Sequence, residues 1–199
     1  MREIIQNRFF VKRQAKIFDN KVIYKSGSFG KESEVNIPFE ELLRYKESHI
    51  LISTVFEIIV AILGFITIIC FAYRNDKDFE ANAWVFWGIL FLISILGFLV
   101  NRENLWKVKV SNNTYLFFFK KTPNESSVEK FIEELFITRD QYLKETYFTT
   151  ANKNIPYETQ MNNYNWLYRV EAINKIEFEL RKKELDNIFK METNKIGFN

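Results

Sequence analysis

Two apolar runs govern what this chain can fold into. Ile50 to Tyr73 reads ILISTVFEIIVAILGFITIICFAY, 24 residues with one ionisable group, and Ala83 to Val100 reads AWVFWGILFLISILGFLV, 18 residues with no charge. A helix over the first would reach roughly 36 Å and one over the second roughly 27 Å, lengths suited to crossing a bilayer. A helix apolar on every face otherwise needs a large protein around it, and the whole chain has 199 residues. Trp84 and Trp87 stand at one end of the second run, where indoles favour the headgroup layer. The expectation is a transmembrane hairpin: helix 1 over 50–73, an extracytoplasmic loop over 74–82 and helix 2 over 83–100.

The flanking charges predict its orientation. Arg44 and Lys46 precede the first run and Arg102, Lys107 and Lys109 follow the second, while the loop sets Arg74 and Lys77 against Asp76, Asp78 and Glu80. Basic residues collect on the cytoplasmic side, so both termini are expected there. The first 49 residues contain no short apolar stretch ending in small residues, so a cleaved secretory signal is not expected. Cys70, the lone cysteine, needs no disulfide partner in that compartment.

Composition narrows the function. A net charge of +3 gives no basic excess of the kind that neutralises many phosphates, so nucleic acid is not an expected partner. One cysteine and one histidine, His49, exclude a disulfide framework, a zinc cluster and a cysteine–histidine catalytic pair. Phosphate loops, dinucleotide-binding glycine fingerprints, zinc-protease helices and serine elbows are absent from the sequence. The chain reads as a non-enzyme with no cofactor, no metal and no identified small-molecule substrate.

The segments outside the runs are patterned as a sheet. Before the membrane, residues 9–18 alternate, Asp19-Asn20 is a turn pair, and Val22-Ile23-Tyr24 resumes the run. The stretch from Ser26 through Phe29 to Gly30 supplies a further turn or bulge, and Glu34 to Ile37 a third short strand ending at Pro38. Phe39 to Lys46, FEELLRYK, reads as the start of a helix. After the membrane, Leu105 to Val110 alternates, Asn112-Asn113 is a turn pair, and Thr114 to Phe119 is a second strand. Ser126 with Glu129 has capping-box spacing and opens a helix to Tyr147 whose stripe is Val128, Phe131, Ile132, Leu135, Phe136, Tyr142 and Leu143. The expected fold is membrane α+β. A transmembrane hairpin is inserted into a small cytoplasmic antiparallel sheet plus helix, with 1–49 as its first part and 101–150 as its second, and a C-terminal helical pair follows in 151–199.

The residues KIFDNKVIYKSGSFGKESEVNIPFEEL before the hairpin and KVKVSNNTYLFFFKKTPNESSVEKFIEELFITRDQYL after it resemble bacterial two-span membrane proteins that carry a split pleckstrin-homology-like module. A full module of that kind has seven strands, against about five read here. Beyond a linker over 151–156, Tyr157 to Glu171 has helical spacing, and Asn174 with Glu177 caps a second helix through Lys190. The stretch WLYRVEAINKIEFELRKKELDNIF resembles the bacterial short C-terminal oligomerisation domain, with Trp166, Leu167, Ile173, Glu177, Phe178, Lys182 and Leu185 at matching positions. The usual turn glycine is replaced near Glu171. That resemblance implies self-association or partner docking, with Trp166, Leu167, Phe178 and Leu185 as the association face.

Two further groups are candidate sites. Glu57 would lie about two turns into a span, where a carboxylate is costly unless protonated, paired or facing water. It either lines a polar path in an oligomer or lies near the interface and bonds Ser53, Thr54 or the hairpin partner. Lys12, Arg13, Lys107, Lys109, Lys120 and Lys121 put positive charge on strands near the bilayer. Anionic headgroups there attract each basic residue by about 1 kcal/mol, and solvated strand faces explain these residues equally well. The expected function is an inner-membrane protein anchoring a cytoplasmic lipid- or protein-binding module with a self-association tail, partnered by membrane lipid and by a second copy or another protein. The alternative is an oligomeric pore-forming or membrane-disrupting effector regulated by that module.

Overall fold

The computed structural model describes residues 2–8, 11–28, 30–51, 54–76, 80, 82–100, 102–111 and 113–193, the last three by backbone alone. Phe9, Phe10, Phe29, Ser53, Lys77, Asp78 and Asn112 lie outside the described residues. The chain divides into two units, one formed by residues up to Glu47 together with those from Trp106 onward, the other by Ser48 to Leu105.

In the first, discontinuous unit, β1 (Glu3–Arg8), β2 (Val11–Ile17), β3 (Lys21–Ser28) and β4 (Lys31–Pro38) form an antiparallel meander in that order. The Asp19-Asn20 pair turns β2 into β3, setting Ile17 opposite Val22 and Ala15 opposite Tyr24. Gly30 closes the next turn at φ 81°, a left-handed conformation that favours glycine. A second antiparallel sheet has the order β5 (Leu42–Leu51), β6 (Glu103–Val110) and β7 (Tyr115–Phe119), its β5 and β6 running past the unit boundary. Asn113 carries the β6–β7 turn at φ 57°, which asparagine tolerates better than most residues.

Two sheets of four and three strands thus replace the single five-stranded sheet read from the sequence. β1 is hidden in the sequence because its two buried positions are Ile4 and the polar Gln6, which breaks the apolar alternation. β5 is hidden because Phe39 to Lys46 is rich in helix formers. Phe39 instead enters the core, a turn follows, and the chain becomes strand from Leu42. Pairing with β6 overrides local propensity, as tertiary context commonly does for strands. β5 also takes Ile50 and Leu51 out of the first apolar run.

α3 (Glu125–Tyr147) begins one residue before its predicted cap, Ser126. Asn124 sits in extended backbone and its side-chain oxygen accepts from the Ser127 N–H at 2.8 Å, so Asn124 and not Ser126 is the N-cap. The stripe Val128, Phe131, Ile132, Leu135 and Phe136 buries against both sheets, packing with Ile4, Ile17, Val22, Val108, Leu116 and Phe118 in one core. Full burial of each large side chain is worth about 1.5–3 kcal/mol.

α4 (Tyr157–Arg169) and α5 (Lys175–Thr193) complete this unit. The α4 terminus is a Schellman turn, with the Ala172 N–H donating to Leu167 O at 2.9 Å and the Glu171 N–H to Tyr168 O at 3.2 Å. Glu171 takes the left-handed position at φ 59°. The predicted capping box of α5 is complete: the Glu177 N–H donates to Asn174 Oδ1 at 2.9 Å and the Asn174 N–H to Glu177 Oε2 at 2.8 Å.

In the second unit, α1 (Thr54–Ala72) and α2 (Ala83–Val100) are long and apolar enough to cross a membrane. Only 6% of either apolar window is buried, and Phe65, Ile68, Leu92 and Leu96 are among the large side chains left exposed. The two helices pack by fitting aromatic rings into glycine notches. A Cβ on Gly64 would lie 2.9 Å from the Phe91 ring, and one on Gly97 would lie 3.2 Å from Phe56. Cys70 is buried.

Candidate functional site

The site begins with a departure from the apolar stripe of α3. Arg139 follows Leu135 and Phe136 by four and three residues, so the helix turns it inward, and it is fully buried. Its guanidinium donates to Leu42 O at 2.8 Å, to Val170 O at 3.0 Å and to Asp140 Oδ1 at 2.6 Å, tying α3 to β5 and to the end of α4. Arg44 on β5 donates to the second Asp140 oxygen at 2.8 Å, and it lies 3.9 Å from Glu133. Burial pushes the Asp140 carboxyl above its ordinary value despite the two arginines, and it pushes Arg139 below its own. Both Asp140 oxygens nevertheless accept guanidinium bonds, an arrangement that needs the carboxylate.

Above this buried pair lies an open groove. One part, of about 550 Å³, is lined by Arg44, Lys144, Tyr168, Arg169, Glu171 and Asn174, among others. The adjoining part, of about 270 Å³, is lined by Leu43, Arg44, Tyr45, Lys109, Arg169 and Glu171, among others. Lys144 is engaged by Glu177 at 2.7 Å. Among the described residues, the side chains of Lys109 and Arg169 have no hydrogen bond, ion pair or ring contact. The Schellman turn holds Arg169 and Glu171 at the groove.

The predicted basic residues do not form one patch. Lys12 and Arg13 are neighbours on β2, so they point to opposite faces. Arg13 covers the Phe119 ring at 4.1 Å while Lys12 is exposed. Lys120 lies 4.1 Å from the centre of the Trp106 ring, which Lys46 also approaches at 4.9 Å. Lys121 is exposed. Lys107 bonds Glu47 at 2.7 Å, which raises its pKa, and it stands 3.8 Å from the Tyr115 ring centre. Of the six, Lys109 alone lines the groove.

The predicted association face is turned inward. Leu167 and Leu185 are fully buried, Trp166 meets Tyr147 edge-on at 5.1 Å, and Phe178 stacks on Tyr168 at 5.2 Å. Leu167 packs with Leu143, Ala172 and Ile173, and Trp166 and Phe178 lie against that cluster. These residues hold the helical pair to its own chain. Glu57 lies in the first turn of α1, not two turns in, because the helix starts at Thr54. Its side chain is exposed, and among the described residues it has no bonding partner. The positive end of the helix dipole favours a carboxylate there.

Sequence reading missed Arg44, Arg139, Asp140 and Arg169 as site residues, and it noted Glu171 only as the place near which the usual turn glycine is replaced. One signal was available: Arg139 falls on the apolar stripe, where an ordinary solvated arginine does not belong.

No family model matches the chain, and no match is found among curated proteins or solved structures. The described residues form two antiparallel sheets and five helices, of which two could cross a membrane.

Proposed function

We propose that this protein is a non-enzymatic, membrane-anchored binding module of the split pleckstrin-homology-like type, held at the bacterial inner membrane with both termini in the cytoplasm. The observation that carries the reading is the discontinuous unit: the segments flanking the apolar hairpin fold together, with β5 and β6 paired in one sheet. If the hairpin inserts, an even number of crossings must return the chain to the side it left. The exposed apolar surface of α1 and α2 needs a cover, which lipid supplies.

Among the described residues, seven strands in sheets of four and three, with α3 packed in their common core, support the likeness to a full module. The left-handed Glu171, where the short C-terminal oligomerisation domain carries glycine, supports the second likeness. Because Leu167 and Leu185 are used within the chain, the tail fits partner docking better than self-association through that face.

Single cysteines at Asn20, Asp76 and Asn154, placed one at a time in a Cys70→Ser background, test the topology in intact cells and inverted vesicles with a membrane-impermeant maleimide. The expected result is labelling of positions 20 and 154 from the cytoplasmic side and of 76 from the other. Labelling of 20 and 154 from opposite sides, or recovery of the protein without membranes, overturns the reading. The pore alternative makes a separate demand, that Glu57→Gln abolish conductance in planar bilayers.

A further inference from the structure

We propose that the groove over Arg139 and Asp140 binds a phosphate monoester group, with Arg44, Lys109 and Arg169 as its cationic contacts. The inference rests on the binding-module half of the reading above and names the chemistry of its ligand.

Three cations reach the smaller part of the groove, from β5, β6 and the end of α4, against one carboxylate, that of Glu171. The larger part adds Lys144 and Glu177, which neutralise each other at 2.7 Å. The lining side chains alone therefore sum to an excess of two positive charges, which falls to one when the adjoining Arg139, Asp140 and Glu133 are counted with them. Arg44 already has Asp140 and Glu133 beside it, but the side chains of Lys109 and Arg169 have no partner among the described residues. They come from separate elements, and the fold keeps them there: Val108 and Val110 are buried on either side of Lys109, and the Schellman turn fixes the chain just after Arg169. Like charges gathered this way repel until an anion joins them.

The balance favours a doubly charged ligand. A phosphate monoester carries about two negative charges near neutral pH, its second pKa being about 6, so it attracts the two cations without side-chain partners, Lys109 and Arg169, more strongly than a singly charged carboxylate does. Its oxygens also suit the fork of N–H donors on Arg44 and Arg169 and the point charge of Lys109. The capped N-terminus of α5 plays no part, since its own Glu177 already occupies it. Glu171 opposes the ligand and so sets the affinity below what the cations alone would give.

The monoester can belong to a free phosphate compound or to a lipid headgroup, and two probes separate these sources. The full chain in phosphatidylcholine nanodiscs is titrated with inorganic phosphate by calorimetry. In parallel, nanodiscs doped with phosphatidic acid are followed by phosphorus NMR. Saturable binding is expected to weaken about tenfold in Lys109→Gln and in Arg169→Gln, the loss of one charge-assisted hydrogen bond. It should tighten severalfold in Glu171→Gln and stay unchanged in Lys183→Gln, an exposed lysine of α5 outside the groove. This pattern with inorganic phosphate supports the proposal with a soluble ligand, and the same pattern with phosphatidic acid alone supports it with a lipid headgroup. No saturable binding of either probe, or binding that all the variants share, overturns it; far-ultraviolet circular dichroism melts verify that each variant is folded. The inorganic-phosphate titration needs no bilayer and can be repeated in detergent, so its outcome is separable from that of the cysteine-labelling experiment.

Discussion

The buried side chain of Gln6 completes the backbone hydrogen bonding of Phe119 on both sides: its amide nitrogen donates to Phe119 O at 2.8 Å and its amide oxygen accepts from the Phe119 N–H at 2.9 Å. The nitrogen also donates to Thr122 O. One polar side chain of β1 thus does for β7 what a neighbouring strand would do, and it joins the edges of the two sheets.

Gln6→Leu keeps the volume and removes every one of these bonds, leaving the buried Phe119 amide and carbonyl without partners. The expected loss is about 2–4 kcal/mol, measured as a lower midpoint in urea. Gln6→Glu keeps the acceptor and, while protonated, one O–H donor, so its loss should grow as the pH is raised and the carboxyl ionises.

Glu171 occupies the left-handed position of the Schellman turn at φ 59°. A side chain there costs roughly 1–2 kcal/mol, part of which glycine returns through the greater entropy of its unfolded chain. Glu171→Gly should stabilise the protein by about 0.5–1 kcal/mol, visible as a higher midpoint in thermal melts.

Arg139 is the buried cation that ties β5 and the end of α4 to α3. Arg139→Met leaves Leu42 O and Val170 O without that donor and removes one of the two arginines bound to Asp140. Breaking a buried ion pair from one side typically costs about 3–5 kcal/mol. Faster amide exchange throughout α4 and α5 should report it, while α1 and α2 keep their protection.

Glu177 supplies a pH dependence whose sign is determined. Burial alone would raise its pKa, but the Lys144 ammonium and the Asn174 N–H together hold it below the ordinary value of 4.5. A folded value below the unfolded one means that the carboxylate contributes stability above about pH 4.5, lost as the pH falls through the lowered value. Urea midpoints measured from pH 6 downward should fall less steeply in Glu177→Gln than in the parent protein.

The α1–α2 contact distinguishes two glycines. Gly64→Ala drives a methyl group into the Phe91 ring, whereas a Cβ on Gly88 meets only Thr67 Cγ2 at 3.8 Å. The first substitution should cost about 1–3 kcal/mol of hairpin packing and the second almost nothing. Thermal unfolding in detergent compares them, and adding Phe91→Leu to Gly64→Ala should recover part of the loss.

Local chemistry made much of this protein legible. The two apolar runs, the Asp19-Asn20 turn, the stripe of α3 and the capping box of Asn174 and Glu177 all depend on residues close in the chain, and a reading of neighbours recovers them. The turn at Glu171 was marked only through the resemblance, as the place near which the usual glycine is replaced, and its positive φ came from the structure. The groove was not legible. Lys109 stands in the sequence as one of six basic strand positions of equal rank, Arg169 and Arg44 look like ordinary charges on solvated elements, and nothing local marks which will be left without partners.

The sequence by itself determined where the long apolar helices lie and which face of α3 is buried, because periodicity and composition act over a few turns of chain. Only the tertiary structure decided that FEELLRYK becomes a turn and a strand, that Gln6 substitutes for a backbone partner, and that Leu167 and Leu185 face their own chain. The physical reason is the same in each case: these outcomes depend on unpaired ladders, buried polar groups and apolar surfaces contributed by residues far apart in sequence, whose demands exist only once the chain has folded.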